Sequence, residues 1–337
     1  MTVAAEPVRV PDAPLIPGLR FRRLRLPEDL ESLAALFNAA NMADGVEDWS
    51  DAAGLAEWFA HPTGYDPLRD CLIALVGDEV VGYGKVHWID DADGGRNYAS
   101  WGAVHPEWRR RGLGRAILRA SHRRLREIAA TQDVAPDVER RFETWAAEKQ
   151  VGAIALLESE GFTVARYFFE MLRPTLDEVA EFPLPEGIEV RPLRPEHYRQ
   201  VWEADVEAFS DHWGGLAGGE EMFQRFFSGQ SFEPDLWRVA WDGDQVAGIV
   251  SNMVMREFNE ATGARRGLLS GVSVRRPWRG RGLARALVSQ SLVALRDRGM
   301  SEAILGVDAD NPTGALGVYE ANGFVVHTRE RSYRKPF

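Results

Sequence analysis

Cysteine is nearly absent: Cys71 is the single one in 337 residues, so no intramolecular disulfide can form and nothing points to an oxidising compartment. It stands in the apolar run CLIALV and is expected in a core. Long hydrophobic runs are missing too, since none approaches the roughly 18 apolar residues of a membrane span. The N-terminus, MTVAAEPVRVPDAP, has no basic start followed by an apolar stretch. A cytoplasmic protein with no membrane partner is the expectation. Positive charge is not in excess either: 40 Lys and Arg stand against 51 Asp and Glu, a formal net charge of −11. Neutralising nucleic-acid phosphates needs a positive stripe, so no nucleic-acid partner is expected and any anion site must be local.

What is present is an ordinary globular composition, 45% hydrophobic and 27% charged. The length exceeds what one hydrophobic core usually serves, which argues for two domains. An internal repeat agrees. WRRRGLGRA at 108–116 returns as WRGRGLARA at 278–286. FRRLRLPED at 21–29 is echoed by VRPLRPEH at 190–197, VVGYGKV at 80–86 by VAGIVSNMV at 246–254, and LLESEGF at 156–162 by VYEANGF at 318–324. The offsets run from 162 to 170 residues, so the two halves share one architecture. The first half is eight residues longer between its glycine loop and last helix, and the polar stretch TQDVAPDVERR is where that excess is expected. RPTLDEVAEFPLPEGIE at 173–189, with three prolines, suits a linker. The expected domains are 1–180 and 181–337.

Each half reads as mixed α/β. The turn stretches GDE and DGDQ before the second anchor suit hairpins. Leu283, Leu287, Val288, Leu292 and Leu295 trace one buried helix face, interrupted by Ser291, and Ile117, Leu118, Leu125 and Ile128 do the same in the first half. AILGVD at 303–308 and LWRVAW at 236–241 read as interior strands.

Each arginine and glycine stretch follows an apolar strand-like run and opens a helix. There the first backbone N–H groups have no intrahelical partner, and glycines let an anion approach them. Flanking arginines add charge-assisted bonds. A Walker loop is excluded by the lack of a Gly-Lys-Ser/Thr ending, and a dinucleotide fingerprint by the spacing. A ligand bearing a pyrophosphate is the expectation, and no metal.

The pattern Arg-x-x-Gly-x-Gly/Ala after a strand, present in both halves, with Tyr-Glu-x-x-Gly-Phe near the end of the second and Leu-Glu-x-x-Gly-Phe near the end of the first, resembles the GNAT superfamily of acyl-CoA-dependent acetyltransferases, so the resemblance covers both halves. The resemblance implies two tandem domains, each a central mixed, splayed β-sheet flanked by helices. It further implies that acetyl-CoA is the acyl donor, its pyrophosphate held by the loop and its pantetheine arm by the strand before it. In the second half that points to Val272, Val274, Arg279, Gly280, Arg281, Gly282, Leu283, Ala284 and Arg285. In the first it points to Val104, Arg109, Arg110, Arg111, Gly112, Leu113 and Gly114.

The halves are not equal. Asn311 suits an N-cap, Pro312 the first helical position and Asn322-Gly323 a left-handed stop. Asn311 also joins the cofactor-binding set. Tyr319 falls where the family places the tyrosine that protonates the departing thiolate, and a phenol of pKa about 10 is a reasonable donor there. Aligning Gly161-Phe162 with Gly323-Phe324 sets Leu157 opposite Tyr319 and Lys149 opposite Asn311. The second domain is therefore the expected catalytic one. The first either binds CoA or is a scaffold.

The base is less well marked: Asp211 and His212 in FSDHWGG, Glu257 and Asp308 are candidates, with Asp211 and Glu257 preferred and Trp213 as a pocket wall. A plain helix-ending turn accounts for FSDHWGG as well. The chain also resembles, distantly, the mycothiol synthases, tandem GNAT proteins with a carboxylate base on the strand entering the second loop; here Leu268 and Leu269 stand there, so a mycothiol-synthase-like acetyltransferase is kept as the lesser, alternative reading. The expected function is N-acetyl transfer to an amine of a small molecule or peptide. A non-catalytic CoA-binding protein is the competing class, and a nucleic-acid module built on Arg109 to Arg111 and HRRLR a distant third. A monomer whose two domains form a pseudo-dimer is expected.

Overall fold

The computed structural model describes residues 7–91, 94–210, 213, 219–228, 232–311 and 314–337. The chain divides into two compact units, Met1–Ala165 with Arg331–Phe337, and Arg166–Glu330.

The first unit contains β1 (Leu19–Arg23), α1 (Leu30–Asp44), α2 (Ala52–Ala60), α3 (Pro67–Asp70), β2 (Cys71–Val76), β3 (Glu79–Asp90), β4 (Arg96–Val104), α4 (Leu113–Ala130), β5 (Arg140–Ala147) and α5 (Val151–Ser159). Its strands lie in the order β1-β2-β3-β4-β5. β2 and β3 form the expected antiparallel hairpin, and Gly77 in its turn takes φ 61°, a left-handed value that suits glycine. β4 and β5 are parallel only over Arg96–Ala99 and Arg140–Glu143, after which they diverge. Cys71 is buried, in hydrogen-bond contact with the Tyr83 hydroxyl at 3.2 Å, and burial pushes its thiol up to about 12.

The second unit repeats this with most of β6 (Thr163–Arg173), β7 (Ile188–Arg191), α6 (Tyr198–Phe209), α7 (Glu220–Phe226), β8 (Arg238–Asp242), β9 (Gln245–Val254), α8 (Arg256–Thr262), β10 (Arg266–Val274), α9 (Leu283–Asp297), β11 (Glu302–Asp308) and α10 (Ala315–Ala321). Its strands lie in the order β7-β8-β9-β10-β11-β6. β10 and β11 are parallel over Arg266–Leu269 and Glu302–Leu305 and then part. β9 and β10 slip register between Leu269 and Gly271, a bulge that β3 and β4 lack. The mixed, splayed sheet flanked by helices is therefore present in each unit. The face of α9 read from the sequence is core: Leu283, Leu287, Val288, Leu292 and Leu295 are all buried. Ser291 fits among them because the Asn252 amide donates to its hydroxyl at 3.0 Å.

Two sequence readings change. The eight extra residues of the first half are shared between helix and loop: α4 has 18 residues against 15 in α9, and only the remainder lies in the connection to β5. The proline-rich stretch expected as a linker packs within the second unit. Leu176 is buried, the Ser289 hydroxyl donates to the Ala180 carbonyl, and Arg285 lies over the Phe182 ring. The second unit accordingly starts at Arg166, because β6 from Phe168 to Arg173 pairs with β11.

The last strand, β12 (Val325–Pro336), delivers Arg331–Pro336 to the first unit next to β5. Phe337 packs on Tyr98 and Phe142, with ring centroids 4.4 and 4.6 Å away. Arg334 pairs with the buried carboxylates of Asp91 at 3.0 Å and Glu143 at 3.1 Å.

Candidate active site

Beyond Leu269, β10 has lost β11 as a neighbour, so its remaining residues present a backbone edge with no strand partner on that side among the described residues. Val272 and Val274 on this stretch line a cavity of about 590 Å3. The loop closes one end with Arg279, Gly280 and Gly282, and α9 contributes Leu283, Ala284 and Arg285. Gly282 is the N-cap of α9 at φ 85°, and Gly280 takes φ 73°. A Cβ added at either would meet nothing among the described residues within 4 Å, so they leave the space above both open. Open space over the free N–H groups of a helix start fits a pyrophosphate, and the unpaired strand edge fits an extended amide-bearing arm.

Asn311 and Tyr319 complete the lining from the other side of the fork. Tyr319 is buried, and burial raises its phenol above the ordinary tyrosine value, so it stays protonated through neutral pH. Its helix starts later than the sequence suggested. Gly314, not Asn311, is the N-cap of α10, and the Asn311 carbonyl instead accepts from Gly314 N–H. Pro312 lies outside the described residues. The stop after the helix is as read, with Gly323 at φ 77°.

Arg279 does structural work within the loop: its guanidinium donates to the carbonyls of Val274 at 2.8 Å and Ala208 at 3.1 Å, tying strand, loop and the end of α6 together. Arg281 is exposed and does not line the cavity.

The first unit builds the same cleft with a cavity of about 510 Å3, lined by Val104, Arg109, Arg110, Gly112 and Gly114. Leu113 is core, and Arg111 lies over the Trp108 ring 4.8 Å from its centroid. Arg109 repeats the clamp on Val104 and Ala40, and it makes a bidentate pair with Asp44 at 2.7 and 3.0 Å. Arg110 takes φ 62° where the second loop has Gly280. Phe162 N–H donates to Leu157 O as Phe324 N–H does to Tyr319 O, each at 3.1 Å, so Leu157 does stand where Tyr319 stands. Leu157 has no proton to give.

The carboxylates are dispersed. Asp211 and His212 lie outside the described residues. Glu257 is on α8, at the end of the β9–β10 hairpin away from the loop, and does not line the cavity. Asp308 is ion-paired with Arg166 at 2.7 Å. Sequence reading missed Asp205. It is buried on α6, accepts from Ser273 Oγ at 2.6 Å, and burial raises it to about 6 against the pull of that hydrogen bond. The signal was there: an acid in helical register with the buried Val201 and Ala208. Among the described residues no helix is long and apolar enough to cross a membrane.

Comparison with known proteins agrees with this geometry. The model of the acetyltransferase (GNAT) family matches residues 198–324, and that of an acetyltransferase (GNAT) domain matches residues 67–164. A mycothiol acetyltransferase of Geodermatophilus obscurus is 30% identical over 312 residues, covering 92% of this chain and 95% of that protein. One of Thermobispora bispora is 31% identical, covering 92% and 97%. Among solved structures, a GCN5-related N-acetyltransferase from Sphaerobacter thermophilus is 26% identical, with a TM-score of 0.75 and 96% of each chain covered. A tandem GNAT protein from the clavulanic acid biosynthesis pathway, 19% identical with a TM-score of 0.65 over 94% of this chain and 98% of that one, shares the fold.

Proposed function

This chain belongs to the GNAT family of acetyltransferases, with two such domains in tandem, and from that premise we propose that its second unit transfers the acetyl group of acetyl-CoA to an amine with Tyr319 as general acid. The observation that carries the reading is the tyrosine itself: of two clefts built alike, only the second sets a phenol into its lining at the place where the first has Leu157. The loop and the start of α9 bind the pyrophosphate, and β10 pairs with the pantetheine arm. A neutral amine attacks the thioester carbonyl; the C–N bond forms, the C–S bond breaks, and Tyr319 gives its proton to the departing thiolate.

Asp211 follows the cleft-lining Ala208 by three positions and is our choice for the group that takes the proton from the amine, directly or through water. Glu257, away from the cleft, is not. The curated relatives named mycothiol acetyltransferases direct the choice of acceptor to a mycothiol-related small-molecule amine. The first unit keeps the loop and lacks the acid, so it is assigned ligand binding or support without transfer.

Calorimetric titration of acetyl-CoA into the wild type, Gly112→Val and Gly282→Val tests the assignment. Binding lost in Gly282→Val places the donor in the second cleft; no binding by the wild type removes acetyl transfer through Tyr319 altogether. Tyr319→Phe should then lower turnover of acetyl-CoA with the mycothiol-related amine by about 100-fold, within the range of general acid catalysis, at unchanged donor affinity. Unchanged turnover would remove Tyr319 from its role.

A further inference from the structure

The second unit holds a buried acid that this chemistry does not use. Asp205 is 4% exposed, and its one hydrogen-bond partner among the described residues is Ser273. No cation is paired with it there. The facing strand β9, QVAGIVSNMV, carries no charged residue. Of the arginines that β10 and its loop bring to the end of α6, Arg275 pairs with Glu207 at 2.7 Å and Arg279 reaches backbone carbonyls. A buried carboxylate so placed is costly, and packing does not require it.

The first unit demonstrates the apolar solution. The clamp arginines fix the equivalence: Arg109 donates to Ala40 O and Arg279 to Ala208 O, three residues after Phe37 and Asp205 respectively. Val104 and Val274, the carbonyls bonded by the same arginines, follow Ala103 and Ser273. Where the second unit has Asp205 and Ser273, the first has Phe37 and Ala103, packed in one hydrophobic cluster.

Ser273 sits between Val272 and Val274 on the stretch of β10 that lines the second cleft. We propose that Asp205 is a positioning residue for the acyl donor: through Ser273 it holds the Val272–Val274 segment against α6, so that the free strand edge is fixed in the conformation the extended donor arm pairs with. Preorganising that edge raises donor affinity at the expense of folding stability. This rests on the second cleft being the acetyl-CoA site.

The test is calorimetry with acetyl-CoA on the full chain at pH 8, with urea unfolding alongside, for Asp205→Asn, Ser273→Ala, Ser273→Thr and the double variant of Asp205→Asn with Ser273→Ala. Loss of a hydrogen bond to a charged group predicts binding about tenfold weaker in Ser273→Ala. The double variant should bind no more weakly than Ser273→Ala, since both changes cut one connection, and Ser273→Thr, which keeps the hydroxyl, should restore most of the affinity. Asp205→Asn should bind more weakly yet resist urea as well as the wild type or better. Affinity in Ser273→Ala within twofold of wild type overturns the proposal, as do additive losses. A parallel fall of affinity and urea resistance in Asp205→Asn also overturns it, because that is what a purely structural residue gives. Binding lost in Gly112→Val but kept in Gly282→Val would overturn both this and the reading of the cleft. A wild type that binds in the second cleft beside variants that bind equally well removes this inference alone.

Discussion

At the scale of the residue, the two groups that matter most in the second cleft are both shifted by burial, in ways that differ in consequence. Tyr319 is raised, which leaves it a proton donor over the whole physiological range. Asp205 is raised to about 6 from an unfolded value of 3.8, so the folded chain holds that proton more tightly than the unfolded one. Its contribution to stability is complete below pH 3.8 and is lost as pH rises through about 6. A shift of this size corresponds to about 3 kcal/mol. Asp205→Asn should therefore raise the urea midpoint relative to wild type at pH 8 and change it little at pH 4; an equal change at both values would contradict a buried, raised carboxylate. Tyr319 could be read from the sequence because a surrounding pattern, Tyr-Glu-x-x-Gly-Phe, announces it. For Asp205 only burial was legible, from its helical register; its pairing was not, since the partner is 68 residues away and neither WEADVEAF nor SGVSV marks it.

At the scale of the element, periodicity carried α9 and α4 well, because one face of each is buried against a sheet and the spacing records it. The start of α10 was less legible. A side-chain cap was available at Asn311, but Gly314 with φ 73° turns the chain instead. Ser291 shows how a polar residue survives on a buried face. Asn252 lies fully buried on β9 and donates to both Leu236 O and Ser291 Oγ, at 2.8 and 3.0 Å. Ser291→Ala leaves Asn252 one of its two acceptors and should cost about 1 kcal/mol. Asn252→Ala removes both bonds and leaves Leu236 O without its donor, so about 2–4 kcal/mol is expected from lost hydrogen bonds and the cavity. Denaturant unfolding of the two variants checks the order, and a larger loss in Ser291→Ala would contradict it.

At the scale of the molecule, the repeat disclosed two units and the class of each, because anchors recur in the same order. It did not disclose which unit owns the end of the chain. Strand sequence says little about its partner, and RSYRKP is as suited to one sheet edge as another. The answer lies in side chains it meets: Arg334 on Asp91 and Glu143, Ser332 on Glu143 at 3.0 Å, and Phe337 on Tyr98 and Phe142. A chain ending at Glu330 would take Ser332 and Arg334 from the buried Glu143 carboxylate and leave Asp91 with Arg141 alone as its cation, a loss of about 3–5 kcal/mol for a broken buried pair. Limited proteolysis of that truncated chain should cut within the first unit while residues 166–330 resist; equal resistance of both would contradict the assignment of Arg331–Phe337 to the first unit.

That ownership has a consequence for how the protein is made. Residues 166–330 are contiguous, so the second unit can close as soon as they have left the ribosome. The first unit, although its bulk is synthesised earlier, waits for the segment that reaches Phe337. At translation speeds of about 5–20 residues per second the delay is on the order of ten seconds. For that interval the rings of Tyr98 and Phe142 and the carboxylates of Asp91 and Glu143 lack their final partners, so the demand for chaperones during biogenesis falls on the half that is translated first.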